Sequence, residues 1–162
     1  MNSLLICWNV RGLGKPEKAR AVSSVLKSSR AKIAFLQESK ISQLTPSLLK
    51  RMKGSYFSDC VFSPSVGASG GLIFLLNRQF FKVRISTISG RWIGLVGQFE
   101  RSQSECLLIN LYAPNDLASR KMMFEKISEL IEKAKVPIMT EEISTVLETK
   151  KKDWVWWRTK KR

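Results

Sequence analysis

The sequence predicts a single layered α/β or α+β domain. Its 162 residues are the usual size of one domain, and 44% of them are hydrophobic, which is enough for a sizeable core. Short apolar runs alternate with amphipathic stretches towards both ends of the chain, whereas the middle holds successive apolar runs separated by Gly, Ser and Asn. The first pattern is typical of interleaved strands and helices, and the second of antiparallel strands.

The first third of the chain predicts a strand, a helix, a second strand and a second helix. The apolar run at residues 4–9 is the first strand, and the glycines and proline at 11–16 end it. Pro16 suits the first turn of a helix, whose apolar residues recur at spacings of three and four up to residue 29. The next strand is predicted over residues 33–37, and the short second helix over 44–52.

The middle of the chain predicts an antiparallel meander, followed by one helix and one strand. Its apolar runs cover residues 56–62, 71–76, 80–88, 91–99 and 106–111. The helix is predicted over residues 116–134 with Asp116 as its cap, and the short strand over 136–139.

The charge balance excludes several kinds of site. The chain has 28 Lys and Arg, 13 Asp and Glu and no histidine, a net charge of +15. Without histidine there is no Ser-His-Asp or Cys-His nucleophile, no His-ligated zinc and no imidazole base. The positive excess favours a polyanion such as nucleic acid, or an anionic surface, as the partner.

The cysteines and the N-terminus predict an intracellular protein. Cys7, Cys60 and Cys106 are odd in number and have neither CxxC nor zinc-ligand spacing, so we expect reduced, buried thiols. No signal peptide precedes the first strand, and no apolar run approaches the ~20 residues of a membrane span. A nuclear location is compatible with these features.

Three predicted strands end in polar residues. By alternation Leu5, Cys7 and Asn9 share a face, as do Ala34, Leu36 and Glu38, and Leu108, Asn110 and Tyr112. A carboxylate on a buried face needs a partner, and hard divalent cations accept oxygen ligands of this kind. Each such residue, taken alone, is also explained as a strand end that reaches water.

Four motifs together resemble the endonuclease/exonuclease/phosphatase family. Their order and spacing over residues 2–139 are most similar to the endonuclease domain of plant LINE-type retrotransposons. The motifs are WNVRGLG at 8–14, LQESK at 36–40, SGGLI at 69–73 and NLYAPN at 110–115.

This resemblance implies Mg²⁺- or Mn²⁺-dependent hydrolysis of DNA phosphodiesters on a two-sheet sandwich with helices outside. It implies that Glu38 is the metal ligand and that Asn9 helps to position metal and phosphate. Tyr112 would orient or stabilise the attacked phosphate, Asn115 would contact the substrate or support the loop, and Arg11 would contact the substrate. Such groups offset the negative charge that the transition state spreads over the phosphoryl oxygens.

The chain departs from the family pattern after residue 136. The segment PIMTEEISTVL at 137–147 places Glu142 and Ser144 where the family has Asp and Asn, unless the likeness is accidental there. Glu moves the charge by about 1 Å, which can cost roughly 100-fold, and Ser lacks the amide's paired donor and acceptor. The family's final Ser-Asp-His motif is absent, so we expect little or no catalytic activity.

We also expect a C-terminally truncated, incomplete sandwich over residues 1–147. Loss of part of the second sheet would leave an open strand edge and an apolar face in water. The fold would then be marginal, aggregation-prone or completed by a partner or by self-association.

The last fifteen residues lie outside the family pattern. Residues 148–162 hold seven bases, two acids and three tryptophans, a net +5 that leaves +10 for the rest of the chain. They fit a nucleic-acid-binding tail, a targeting cluster, a membrane-adhering segment or a stretch without a selected role.

Two functions of different class therefore remain. One is a fragment of a metal-dependent DNA endonuclease, with Glu38 and Asn9 at the metal and Glu142 in place of an aspartate. The other is a non-catalytic, basic nucleic-acid-binding protein.

Overall fold

The structure, a computed structural model, describes residues 5–140. This part of the chain forms eight strands and three helices, which confirms the predicted two-sheet sandwich flanked by helices. In chain order they are β1 (Leu5–Asn9), α1 (Pro16–Ser29), β2 (Ile33–Gln37), α2 (Pro46–Lys53), β3 (Asp59–Val66), β4 (Ser69–Leu76), β5 (Phe81–Ser89), β6 (Trp92–Phe99), β7 (Glu105–Leu111), α3 (Leu117–Ala134) and β8 (Ile138–Thr140).

The strands form two four-stranded mixed sheets. Sheet A has the order β1-β2-β4-β3, with β1 and β2 parallel and the other pairs antiparallel. Sheet B has the order β5-β6-β7-β8, with β7 and β8 parallel and the other pairs antiparallel. Because β1 and β2 run in the same direction, their carboxyl ends meet at one edge of sheet A.

Three apolar clusters hold four layers together. The central cluster lies between the sheets and includes Phe35 and Phe74 from sheet A and Phe81 from sheet B. A second cluster joins the outer face of sheet A to α1 and α2, and a third joins the outer face of sheet B to α3. The resulting order is helices, sheet A, sheet B, helix.

The central antiparallel run is divided between the two sheets, so the meander expected over residues 56–111 is only partly correct. β3 and β4 form a hairpin of sheet A, and β5, β6 and β7 form the meander of sheet B. The turn between them is built on Asn77, whose carbonyl accepts from the Phe80 and Phe81 N–H groups and whose side chain accepts from Gln79 N–H. This turn carries the chain from one sheet to the other.

The edge strand β1 is less buried than its interior neighbour β2. The residues of β2 are all buried, whereas residues 5–8 of β1 are half-buried although they are apolar.

Among the described residues, no helix is long and apolar enough to cross a membrane. The proposed boundary at residue 147 and the basic tail at 148–162 lie outside the described residues.

Candidate functional site

The loops after β1 and β2 run side by side at one end of sheet A. The N–H groups of Val10, Gly12 and Leu13 donate to the carbonyls of Gln37, Glu38 and Ser39 at 2.7 to 2.9 Å. The second loop is held in turn by the β3–β4 hairpin, because Ser39 N–H and Lys40 N–H donate to the Gly71 and Gly70 carbonyls at 3.0 Å. Three chain segments distant in sequence are therefore fixed together by backbone hydrogen bonds.

Asn9 and Glu38 meet at this junction. Asn9 Nδ2 donates to Glu38 Oε1 at 2.6 Å, and Asn9 Oδ1 accepts from the Arg11 N–H at 3.1 Å. The amide thus holds the carboxylate on one side and shapes the following turn on the other. The predicted pair is brought together, and its arrangement makes Asn9 a positioning partner of Glu38.

The alternation used to orient Glu38 ends one residue before it. Ala34 and Leu36 face the helical layer, whereas Leu5 and Cys7, the strand neighbours of Asn9, face sheet B. β2 ends at Gln37, and Glu38 itself has a left-handed φ of +52°. This backbone conformation lets Glu38 contact Asn9, which strand periodicity alone would place on the other face.

The Glu38 carboxylate is partly exposed in a basic setting. Its side chain is 22% exposed, and Lys40 Nζ lies 4.0 Å from Oε2. Lys18 Nζ, from the first turn of α1, donates to the Arg11 carbonyl at 2.9 Å. One carboxylate oxygen therefore contacts an amide, and the other faces a cation and solvent.

Tyr112 lies beside the same hairpin. A Cβ added to Gly70 would be 3.4 Å from Tyr112 Cδ1, so the ring rests against this glycine. The Tyr112 N–H donates to the Arg91 carbonyl at 2.8 Å. The Tyr112 hydroxyl has no hydrogen-bond partner within residues 5–140.

The remaining predicted site residues are more scattered. Arg11 is exposed beside Asn9, and Asn115 is exposed in the loop before α3, where its side chain makes no hydrogen bond to Asn9 or Glu38. That loop is held by Arg120, whose guanidinium donates to the Pro114 and Asn115 carbonyls at 3.2 Å. The predicted residues Glu142 and Ser144 lie outside the described residues.

Two buried amides that the sequence reasoning did not assign to the site join the sheets beneath it. Gln37 Nε2, from sheet A, donates to the Leu111 carbonyl of sheet B at 2.9 Å. In the reverse direction Asn110 Nδ2 donates to the Leu36 and Ile73 carbonyls at 3.2 Å. Because Gln37 precedes Glu38 and Leu111 precedes Tyr112, these bonds fix how far apart the two site residues lie.

The donor chemistry fits a weakly held Mg²⁺ or Mn²⁺. Mg²⁺ is commonly bound through one or two carboxylates while it keeps several waters, and Glu38 offers one half-buried carboxylate. The described residues contain no cluster of three or more His, Cys, Asp or Glu side chains that could hold a metal alone. A cation here would therefore depend on Glu38, water and substrate oxygens.

The thiols of Cys60 and Cys106 are weakly acidic because they lie away from solvent. Within the described residues Cys7, Cys60 and Cys106 form no disulfide, but only Cys106 is buried; Cys7 and Cys60 are half-buried, so the expected burial is wrong for these two. Burial raises the pKa of the Cys60 thiol to about 11 and that of Cys106 to about 12, so both stay protonated at neutral pH. Protonated thiols are poor nucleophiles and poor metal ligands.

Several solved structures share this architecture. The AP endonuclease LMAP from Leishmania major aligns with a TM-score of 0.57 and 15% identity, covering 80% of this chain and 46% of its own. TDP2 from Caenorhabditis elegans aligns at 0.56 with 21% identity, covering 78% and 42% respectively. A mannosyl-6-phosphatase from Bacteroides thetaiotaomicron aligns at 0.61 with 13% identity, covering 83% and 62%.

These similarities establish the fold. The chain has the endonuclease/exonuclease/phosphatase fold, and it spans about half the length of the first two solved chains. No family model matches the sequence, and no curated protein matches it either.

Proposed function

We propose that this chain carries part of a divalent-metal-dependent phosphodiesterase site that acts on DNA, and that its own hydrolytic activity is impaired or lost. The observation that carries the proposal is the 2.6 Å contact between Asn9 and Glu38 at the meeting ends of two parallel strands. Ligands commonly sit at the carboxyl ends of such strands. The shared fold includes an AP endonuclease and a phosphatase, which supports a phosphate-ester substrate.

In this proposal Glu38 holds Mg²⁺ or Mn²⁺, and Asn9 keeps the carboxylate in position. The metal, when bound, would supply Lewis-acid stabilisation of charge on the phosphoryl oxygens. Tyr112 would donate its unpartnered hydroxyl to the phosphate, while Arg11 and Asn115 would contact the flanking DNA backbone.

The impairment is inferred from the groups that this sequence contains. Hydrolysis of this kind needs groups that move the proton of the attacking water, and the chain has no histidine. Glu142 and Ser144 stand where the resemblance leads one to expect Asp and Asn. The Glu142 side chain is one methylene longer than Asp, and Ser144 lacks the paired donor and acceptor of the Asn amide. We propose an origin in the endonuclease domain of a plant LINE-type retrotransposon, on the four sequence motifs alone.

Metal binding to Glu38 is the first prediction, and it can be measured without catalysis. Mn²⁺ titration followed by electron paramagnetic resonance should show weak binding to the full chain and its loss in Glu38→Gln. Glu125→Gln, which neutralises an exposed carboxylate of α3, is the matched control and should bind Mn²⁺ like the parent. Equal binding by all three proteins would refute the assignment of Glu38.

Plasmid nicking with Mg²⁺ then tests the activity. We expect a rate several orders of magnitude below that of an intact enzyme, since catalytic groups that act as a unit fail together. Any residual nicking should vanish in Glu38→Gln and persist in Glu125→Gln. Efficient nicking by the parent chain would overturn the proposed impairment.

The second candidate is a non-catalytic nucleic-acid-binding protein. The charge of the described residues favours it, because residues 5–140 hold 21 bases and 9 acids, a net +12. It predicts salt-dependent DNA binding by a chain that binds no Mn²⁺ at Glu38. The Mn²⁺ titration therefore separates the two candidates.

A further inference from the structure

Positive charge is distributed unevenly over the described residues. Residues 11–54, which include the two site loops, α1 and α2, hold eleven bases and two acids, a net +9. Residues 55–140, which include sheet B and α3, hold ten bases and seven acids, a net +3. The side of the molecule that carries α1 and α2 is therefore much the more positive.

The cations of α1 and α2 also have fewer acidic residues around them than those of α3, because Glu17 is the one acid of α1 and α2 whereas α3 holds Glu125, Glu129 and Glu132. Within the described residues, the four ion pairs join Glu38 to Lys40 and three acids of residues 55–140 to Arg78, Lys82 and Arg84. No cation of the three helices takes part in any of them, so the helices differ in their acids and not in their ion pairs. We call the exposed cations on this side the basic layer: Lys18, Arg20, Lys27, Arg30, Lys50 and Arg51.

The basic layer is continuous with the candidate site. α1 and α2 pack on the same outer face of sheet A, since both contribute to the apolar cluster there. Lys18, in the first turn of α1, donates to the Arg11 carbonyl of the site loop, and Gly12 lies between Lys18 and Lys40. The cations thus extend from the Glu38 loop along α1, whose 14 residues measure about 21 Å.

We propose that the basic layer is a binding track for the phosphate backbone of DNA, separate from the contacts at Glu38. A length of about 21 Å corresponds to about six base-pair steps of B-DNA. Unpaired, exposed Lys and Arg are the groups that displace counterions from phosphates. The inference extends the proposed function, because such a track would hold DNA that leads into the site.

The composition of this face favours a nucleic acid over a membrane surface. Membrane-surface helices bury large apolar side chains opposite their cationic face. Of the exposed large hydrophobic residues in the described part of the chain, only Val25, at 39% exposure, belongs to α1 or α2. The face therefore offers charge without an apolar anchor.

The experiment compares two sets of substitutions that lower the net charge equally. Arg20, Lys27, Lys50 and Arg51 are replaced by Gln in the track variant. Lys121, Lys126, Lys133 and Lys135, exposed in or next to α3, are replaced by Gln in the control variant. Binding of a fluorescent random-sequence duplex is measured by anisotropy against KCl concentration, in EDTA and in a Glu38→Gln background.

The salt slope decides the outcome. If all four track cations contact phosphates, the slope of log K against log salt should fall by about 3 to 4 in the track variant. The α3 control should change it by less than 1. An equal fall in both variants, or an unchanged slope in the track variant, would overturn the proposal.

Two further measurements keep this test specific. A variant with Arg20→Lys, Lys27→Arg, Lys50→Arg and Arg51→Lys keeps the charges, so its slope of log K against log salt should equal that of the parent. A smaller slope in this charge-preserving variant would contradict a phosphate track. If the track variant instead loses binding only to phosphatidylserine vesicles, a membrane surface replaces DNA as the partner and the proposal fails. Because no metal is present, these outcomes do not depend on whether Glu38 binds a cation.

Discussion

At the residue scale, Gly71 lies directly against the loop that contains Glu38. Gly71 has a φ of +83°, and a Cβ there would collide with the Ser39 hydroxyl and lie 3.2 Å from the Lys40 nitrogen. Ser39 is fully buried, and its hydroxyl has no hydrogen-bond partner within the described residues. There is thus neither space nor a favourable backbone conformation for a larger residue at position 71.

We therefore predict that Gly71→Ala destabilises the protein by at least about 1 to 3 kcal/mol, the cost of one strained backbone position. Urea unfolding followed by circular dichroism measures this change. Gly90→Ala is the control, because Gly90 has open space around it and no positive φ. Equal midpoints for the two variants would show that the close approach at Gly71 is not constraining.

The sequence identified the contacting pair of the site but not the residues that support it. Asn9 and Glu38 could be predicted because polar residues at the ends of apolar strands are unusual, and because their motifs resemble a known family. Gln37 carries no such signal, whereas Asn110 is itself a polar residue on an apolar strand face to which the sequence assigns no role in the site. Their importance depends on the spacing of two sheets, which no local pattern encodes.

At the element scale, α3 shows how a single capping residue links pH to stability. Asp116 Oδ1 accepts from the Ser119 N–H at 2.7 Å, as the sequence predicted for this cap. The hydrogen bonds from Ser119 hold the pKa of the Asp116 carboxyl below its usual value. The ionised form is therefore favoured in the folded state.

The sign of the pH effect follows from this lowered pKa. The stabilisation is present above the unfolded-state value of 3.8 and is lost as the pH falls through the lower folded-state value. We predict that Asp116→Asn, which keeps a capping oxygen but no charge, is less stable than the parent at pH 7, and that the difference shrinks towards pH 3. Urea midpoints across this range measure it; a constant difference would contradict the linkage.

The bounds of the helices and strands could be predicted with different accuracy. The bounds of α1 and β2 agree with the sequence pattern to the residue, since Pro16 and strong periodicity define them. The strand expected over residues 56–62 is instead β3, Asp59–Val66, and α2 begins two residues late, after the Thr45 cap. The same turn residues occur whether a turn closes a hairpin within one sheet or carries the chain to another sheet. The sequence therefore could not predict that the chain passes from sheet A to sheet B at Asn77.

At the scale of the whole molecule, buried amides couple the two sheets. The hydrogen bond from Gln37 to the Leu111 carbonyl crosses the sandwich close to both Glu38 and Tyr112. A buried carbonyl that loses its donor costs about 1 to 3 kcal/mol. The relative position of the two sheets at the site therefore depends on the hydrogen bonds of these buried amides.

We predict that Gln37→Leu lowers the free energy of unfolding by about 1 to 3 kcal/mol, because it leaves the Leu111 carbonyl without this donor. Gln98→Leu is the control, since the Gln98 side chain donates to the Gln103 carbonyl in an exposed turn. Its loss should cost less than about 1 kcal/mol, because water can replace the bond. A smaller effect at position 37 than at position 98 would argue against the cross-sheet coupling.

The uneven charge also has a kinetic consequence. Residues 11–54 carry a net +9 and residues 55–140 a net +3, so the described part of the chain has an electric dipole. The field of a polyanion would orient this dipole. The molecule would turn before contact, so that the α1 and α2 side leads its approach. Collisions would then deliver the Glu38 loops towards the phosphates more often than random tumbling allows, and raising the salt would slow this association.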